Sequence, residues 1–200
     1  MERPVVENKI AEALKSYPKG SVLFVDDFLD YGNSESVKKA LLRLKEKEIL
    51  VRLAHGIYLY PKIDKEHEIL FPSTEDIAKA IARRDKARIV PTGVQAMNKL
   101  GLSTQVPMKV VYLTDGAARS IKVGKRTITF KNTSPKNLLA RGEISSLVIQ
   151  ALKTIGQLKV DDETLLKIQT LLQKEKVENR LNDAKLAPAW INKIIIQTIK

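Results

Sequence analysis

Ser34, Ser36, Lys38, Lys39 and Arg43 fall within one ten-residue stretch. If residues 35–48 are helical, at about 100° per residue, Ser36, Lys38, Lys39, Leu42 and Arg43 share the face away from Val37, Ala40, Leu41 and Leu44. Hydroxyls and cations on one helix face suit a duplex reader. The major groove of B-DNA admits an α-helix; polar side chains read base edges there, and cations anchor to phosphates. Glu35, Glu46 and Glu48 lie on the same segment, so a groove contact would use its N-terminal half. The plainer alternative is that Lys38 and Lys39 only solvate a surface. A little further on, Arg52 and His55 flank Ala54-His55-Gly56, a tight turn whose tip would touch backbone or minor groove.

A second basic group follows. Lys79, Arg83 and Lys86 are spaced i, i+4, i+7, opposite Ile77 and Ile81, and Lys122, Lys125, Arg126 and Lys131 stand on or beside a hairpin. They would form another phosphate-contacting surface or a site for an acidic partner. Equally, they would be a solvated helix face and a charged hairpin tip that resists edge pairing.

Other chemistries find little support. Cysteine is absent, so disulfides and thiolate metal sites are excluded. The two histidines, His55 and His67, lack a metal-ligand neighbourhood. Asp26-Asp27 and Asp161-Asp162 each sit where a helix is expected to begin, and capping explains them better than metal binding. No Gly-rich phosphate loop, nucleophile elbow or His-Glu-x-x-His pattern occurs. The expectation is a protein that catalyses nothing and needs no metal or cofactor.

The elements that must hold these residues can be read in order. Residues 4–17 form a helix, opened by Pro4 and stopped by Pro18-Lys19-Gly20. Residues 22–25 form a short strand and 26–29 a short helix. The helix 35–48 follows, capped by Ser34 or Asn33. Strands 49–53 and 57–60 close a hairpin, ended by Pro61. This is the order of a winged helix-turn-helix. Residues 63–71 read as a linker. Ser73 and Asp76 then open a helix at 74–85. A buried strand at 87–90, a short helix at 94–99, a strand at 109–113 and the hairpin 119–123/126–130 come next. Helices at 145–155, 162–173, 176–183 and 188–199 complete the chain, with Trp190 anchoring the last one to the core.

The chain has 200 residues and a formal net charge of +12, unevenly spread. Residues 1–70 are neutral, 71–150 carry +9 and 151–200 carry +3. A winged helix alone therefore leaves the basic field unexplained. No apolar run approaches the roughly 20 residues of a membrane span, and the N-terminal segment lacks the apolar centre of a signal peptide. A cytoplasmic protein without membrane partners is expected.

The wing residues His55-Gly56-Ile57-Tyr58 and Pro61, the helix 74–85, and the segment Pro91-Thr92-Gly93-Val94-Gln95-Ala96-Met97-Asn98-Lys99-Leu100-Gly101-Leu102-Ser103-Thr104-Gln105-Val106-Pro107 together resemble the AbiEi-type abortive-infection antitoxins. The basic strand pair Ile121–Phe130 and the segment Leu186–Ile191 are similar too. The resemblance covers most of residues 1–155. It implies a bacterial antitoxin and transcriptional regulator that binds an inverted-repeat operator in double-stranded DNA through its winged helix. It also implies a nucleotidyltransferase-like toxin as a functional rather than a stable physical partner, neutralised through the larger second domain.

The expected architecture is α+β: a winged helix-turn-helix at 1–62, a linker at 63–71, and a larger mixed α/β domain at 72–200 with a C-terminal helical segment. The expected DNA-binding residues are Ser34, Ser36, Lys38, Lys39, Arg43, Arg52 and His55. The secondary basic surface comprises Lys79, Arg83, Lys86, Lys122, Lys125 and Arg126. The alternative is a protein- or RNA-binding module that neutralises a toxin through the basic second domain. RNA ranks last, because no strand carries the stacking aromatic pair common in RNA-binding sheets.

Overall fold

A computed structural model describes residues 5–64, 66, 68–105 and 109–199. His67 and Pro4 lie outside the described residues. The fold is α+β, in two compact units: Met1–Ala80 with Lys122–Gly124, and Ile81–Ile121 with Lys125–Lys200.

The first unit is a winged helix. Helix α1 (Val5–Leu14) leads to strand β1 (Val22–Phe24), a 3-10 turn (Val25–Tyr31) and helix α2 (Ser34–Glu46). Strands β2 (Val51–Ala54) and β3 (Ile57–Leu59) form the wing, and β3 lies between β1 and β2 in an antiparallel sheet. Helix α2 starts where Asn33, in extended conformation, accepts the Ser36 N–H on its side-chain oxygen at 2.9 Å. It ends at Glu46, and Glu48, two residues further on, reverses the chain with a φ of 59°. Val37, Ala40, Leu41 and Leu44 recur at helical spacing and all are buried against Ile10, Leu14, Leu23, Phe28, Leu50 and Tyr58. Leu41 is fully buried, and its truncation to Ala would cost about 2–5 kcal/mol.

Several expectations need correction. Helix α1 stops at Leu14, three residues before Tyr17. Ile49 and Leu50 precede the wing strand and are not part of it. Residues 63–71 are not a bare linker. Strands β4 (Lys62–Ile63) and β5 (Ile69–Leu70) pair antiparallel there, and the first unit runs on to Ala80.

Helix α3 (Thr74–Arg84) opens on the expected box: the Asp76 N–H donates to Ser73 Oγ at 3.1 Å, and Ser73 N–H and Oγ donate to the Asp76 carboxylate. In the second unit the sheet order is β6-β7-β9-β8, built from Ile89–Pro91, Lys109–Thr114, Arg126–Asn132 and Arg119–Val123 respectively. Strand β6 is a half-buried edge, not the buried strand expected, and an edge is where Pro91 does no harm. The hairpin β8/β9 turns at Gly124, with φ of 57°. Strand β9 also pairs in parallel with β7, Lys109 opposite Thr127 through Thr114 opposite Asn132. On one sheet face Tyr112 and Phe130 stack at 6.1 Å.

Helix α4 (Gly93–Lys99) and helices α5 (Glu143–Ile155), α6 (Asp162–Leu172), α7 (Val177–Ala184) and α8 (Ala189–Gln197) share a second core. Leu147, Val148, Ala151 and Leu152 of α5 meet Ala96, Ile168, Leu172, Ile191 and Ile195, with Trp190 packed at the margin. Among the described residues no helix is long and apolar enough to cross a membrane.

Candidate nucleic-acid interface

Around α2, the exposed residues include Ser34, Glu35, Lys38, Lys39, Leu42 and Arg43. Ser36 is only half exposed, and its hydroxyl donates to the Asn33 carbonyl at 2.9 Å. It therefore closes the helix start instead of reaching outward. Ser34 is the first helical residue and Asn33 the cap.

The cations differ in their surroundings. Lys39 Nζ lies 2.7 Å from Glu35, one turn earlier. The hydrogen bond from Lys39 and its charge hold the Glu35 carboxyl below its usual value. Arg43 lies 3.8 Å from the Glu7 carboxylate of α1, which Lys47 meets at 2.5 Å. Lys38 is exposed and has no ion-pair partner among the described residues. At about 100° per residue, the middle of the outward face falls on Leu42, Glu35, Glu46 and Lys39. Lys38 and Arg43 stand on its two flanks, so cations frame a mixed centre.

On the wing, Arg52 Nη2 lies 3.0 Å from His55 Nδ1, and Arg52 Nε donates to the Ala54 carbonyl at 3.3 Å. A guanidinium can only donate, so in this contact Nδ1 is the acceptor. Both side chains are exposed at the tip, where Gly56 adopts a φ of 70°. Lys19 also covers the Tyr60 ring at 3.5 Å, a contact that sequence reading missed.

The secondary basic residues are not one stripe. Lys79 and Arg83 are exposed on α3, and Lys79 meets Glu75 at 2.8 Å. The helix ends at Arg84, and Lys86 follows in the left-handed region with a φ of 52°. The expected i+7 position is therefore off the helix. Lys122, Lys125 and Arg126 are exposed at the β8/β9 turn.

The sequence reading also overlooked arginines tied to acids in the second unit. Arg119 reaches Asp85 and lies over the Phe130 ring, 5.7 Å from its centre. Arg84 Nε donates to Asp85 at 2.9 Å. Arg88 donates its backbone N–H and its Nε to Asp115 at 2.7 and 2.8 Å. The backbone bond first and the side-chain bond second hold the Asp115 carboxyl below its usual range. Charge counting could not find the Arg119–Asp85 and Arg88–Asp115 pairs, whose members are 34 and 27 positions apart.

Both expected carboxylate pairs serve helix starts. Asp27 accepts the Phe24 N–H at 2.8 Å, and Asp161 accepts the Thr164 N–H at 2.8 Å.

A family model described as a family of unknown function, DUF6088, matches residues 9–180. No curated protein matches the chain. Among solved structures, the crystal structure of the RV2827C protein from Mycobacterium tuberculosis is similar at 13% identity, with a TM-score of 0.47, covering 97% of this chain and 82% of that one.

Proposed function

This chain belongs to the DUF6088 family, and we propose that it is a DNA-binding transcriptional repressor that acts in the bacterial cytoplasm and catalyses no reaction. One observation carries the reading. Helix α2 packs its apolar side into the winged-helix core and leaves Lys38 and Arg43 exposed on its flanks. That suits a helix seated in the major groove with cations reaching phosphates on either side. The Arg52–His55 tip supplies a wing contact. The resemblance of residues 91–107 to AbiEi-type proteins adds the further proposal that the chain is the antitoxin of a toxin–antitoxin pair, regulating its own operon through an inverted repeat.

The test is fluorescence anisotropy with duplex DNA from the chain's own promoter. The full chain should bind it in preference to unrelated duplex, and the triple variant Lys38→Ala, Lys39→Ala, Arg43→Ala should lose that binding while staying folded. Wild-type binding by the triple variant would remove α2 from the interface. For the antitoxin proposal, the same variant is co-expressed with the product of the neighbouring reading frame. It should still restore growth while failing to repress a promoter reporter.

A second reading has an observation of its own. Glu35 and Glu46 occupy the centre of the outward face, and Lys39 and Arg43 both meet carboxylates of this chain. A mixed, largely neutralised face suits a protein partner better than a polyphosphate. Co-purification of the neighbouring gene product at high salt, without promoter binding, would favour this reading.

A further inference from the structure

Between the 3-10 turn Pro135–Leu138 and α5 lies a shallow, solvent-open cleft lined by Lys136, Asn137, Ser146, Gln150, Lys153 and apolar side chains that include Leu186. All of these residues belong to the second unit. No carboxylate is among the lining residues.

Two features set the cleft apart from an ordinary basic surface. Gln150 is only 7% exposed, and its side-chain amide has no hydrogen-bond partner among the described residues. That amide is nevertheless not sealed off, so a molecule in the cleft can reach it. The second feature is the pair of ammonium groups. Lys153 Nζ donates to Asn137 Oδ1 at 2.9 Å, and Asn137 is itself held through Nδ2 by Thr133 Oγ1 at 2.8 Å. Burial first, and the charge of Lys136 second, push the Lys153 ammonium below the ordinary lysine value. Neither lysine has an ion pair among the described residues. Both ammonium groups thus line one cleft that has no carboxylate among its lining residues.

The donor set selects the ligand. Two ammonium groups, the Ser146 hydroxyl and the Gln150 amide offer more donors than the two oxygens of a carboxylate need. They match a phosphate group, with three terminal oxygens and up to two charges, and lysine is a common point-charge binder of phosphate. We propose that this cleft binds the phosphate group of a small phosphorylated molecule through Lys136, Lys153, Ser146 and Gln150. The apolar wall formed with Leu186 then flanks the organic part of that molecule. Nothing in this site depends on α2 or the wing, so it stands apart from DNA reading.

The test is an NMR titration of the ¹⁵N-labelled full chain at constant ionic strength. The probes are inorganic phosphate, ribose 5-phosphate, sodium chloride alone and an unrelated DNA duplex. Phosphate and ribose 5-phosphate should move the amide signals of Asn137, Ser146 and Gln150 to saturation, and ribose 5-phosphate should bind more tightly. Lys153→Gln and Gln150→Leu should each weaken binding about tenfold or more, the scale of a lost charge-assisted contact. Lys136→Gln, at an exposed position, should weaken it too, and the dispersion of the same spectra reports whether each variant folds. Equal affinity of a folded Lys136→Gln variant and wild type would overturn the proposal. So would shifts no larger than those from chloride, or a response to the duplex alone.

Discussion

The Glu7 carboxylate of α1 and the Lys47 ammonium just past the end of α2, 40 residues apart in the chain, meet at 2.5 Å. Glu7 is 5% exposed, whereas the Lys47 side chain stays largely in solvent. The contact ties the scaffold helix to the far end of the helix proposed to enter DNA. It also draws in Arg43, at 3.8 Å.

Removing Lys47 leaves a buried acceptor with only that longer contact. Lys47→Ala should therefore destabilise the protein by about 1–3 kcal/mol, nearer the lower figure because the lysine is exposed and screened. Lys45→Ala, an exposed neighbour, should stay within about 0.5 kcal/mol of wild type. Urea unfolding followed by circular dichroism checks both. A Lys47→Ala midpoint equal to that of Lys45→Ala would mean that water satisfies Glu7.

The ion pairs on α2 rank its cations for DNA binding. Among the described residues Lys38 has no carboxylate to leave, while Lys39 must give up Glu35. Lys38→Ala should lower promoter affinity more than Lys39→Ala. It should also reduce the slope of log K against log salt by about 0.9, one phosphate contact. Glu35→Gln should raise affinity for any duplex by releasing Lys39. Anisotropy titrations at several salt concentrations read all three variants, and equal slopes for Lys38→Ala and wild type would place Lys38 outside the phosphate contacts.

What could be read in the sequence was local. The period of Val37, Ala40, Leu41 and Leu44, the Asn33 start, the Ser73–Asp76 box and the glycine turns at 56 and 124 are each written within a few residues. The ribbon β4/β5 was missed because two-residue strands with exposed Ile63 and Ile69 carry no alternation to detect. The parallel pairing of β7 with β9 was missed because an adjacent hairpin accounts for only one edge of β9. Of the expected interface, the exposure of Lys38, Arg52 and His55 followed from helix period and turn. The loss of Ser36 to the helix start and the Glu7–Arg43 approach did not, since both depend on where a second group lies in space. Lys39–Glu35 was available from its i, i+4 spacing alone.

Gly93 shows how closely α4 and α5 approach. A Cβ there would overlap the Thr154 side chain and come within 2.6 Å of the Gln150 carbonyl oxygen. Gly93→Ala should cost about 1–3 kcal/mol, the usual penalty of overpacking. Adding Thr154→Ala removes the Oγ1 clash but leaves the Thr154 Cβ at 2.4 Å and the Gln150 carbonyl at 2.6 Å, so the double variant should recover only part of the loss. Thermal melts of the two single variants and the double variant form the cycle. Strict additivity would show that the helices move apart instead of clashing.

The start of α5 is closed by carboxylates from the turn between α6 and α7 and from α7, and this predicts a pH dependence. Asp183 accepts the Arg141 and Gly142 N–H groups, each at 2.8 Å, and Glu175 accepts the Ile144 N–H at 3.0 Å. The Gly142 and Ile144 N–H groups are backbone donors that a helix start leaves without intrahelical partners. Burial pushes the Glu175 carboxyl up. Bonds from the Asn179 amide and from the backbone N–H groups of Ile144, Lys176 and Ser145 outweigh it, leaving the group below the ordinary glutamate value. A depressed carboxyl favours the folded state once the unfolded group would also be ionised, above about pH 4.3. That contribution is present in full above this value and is lost as pH falls through the lower folded value. Glu175→Gln should therefore lower Tm at pH 7 by roughly 2–4 °C, the shift expected for about 1 kcal/mol in a chain of this size. The gap between the variant and wild type should narrow steadily from pH 5 to pH 3. Melts at half-unit pH steps follow it. A gap of constant size across that range would show that Glu175 acts through shape and hydrogen bonding alone, with no contribution from its charge.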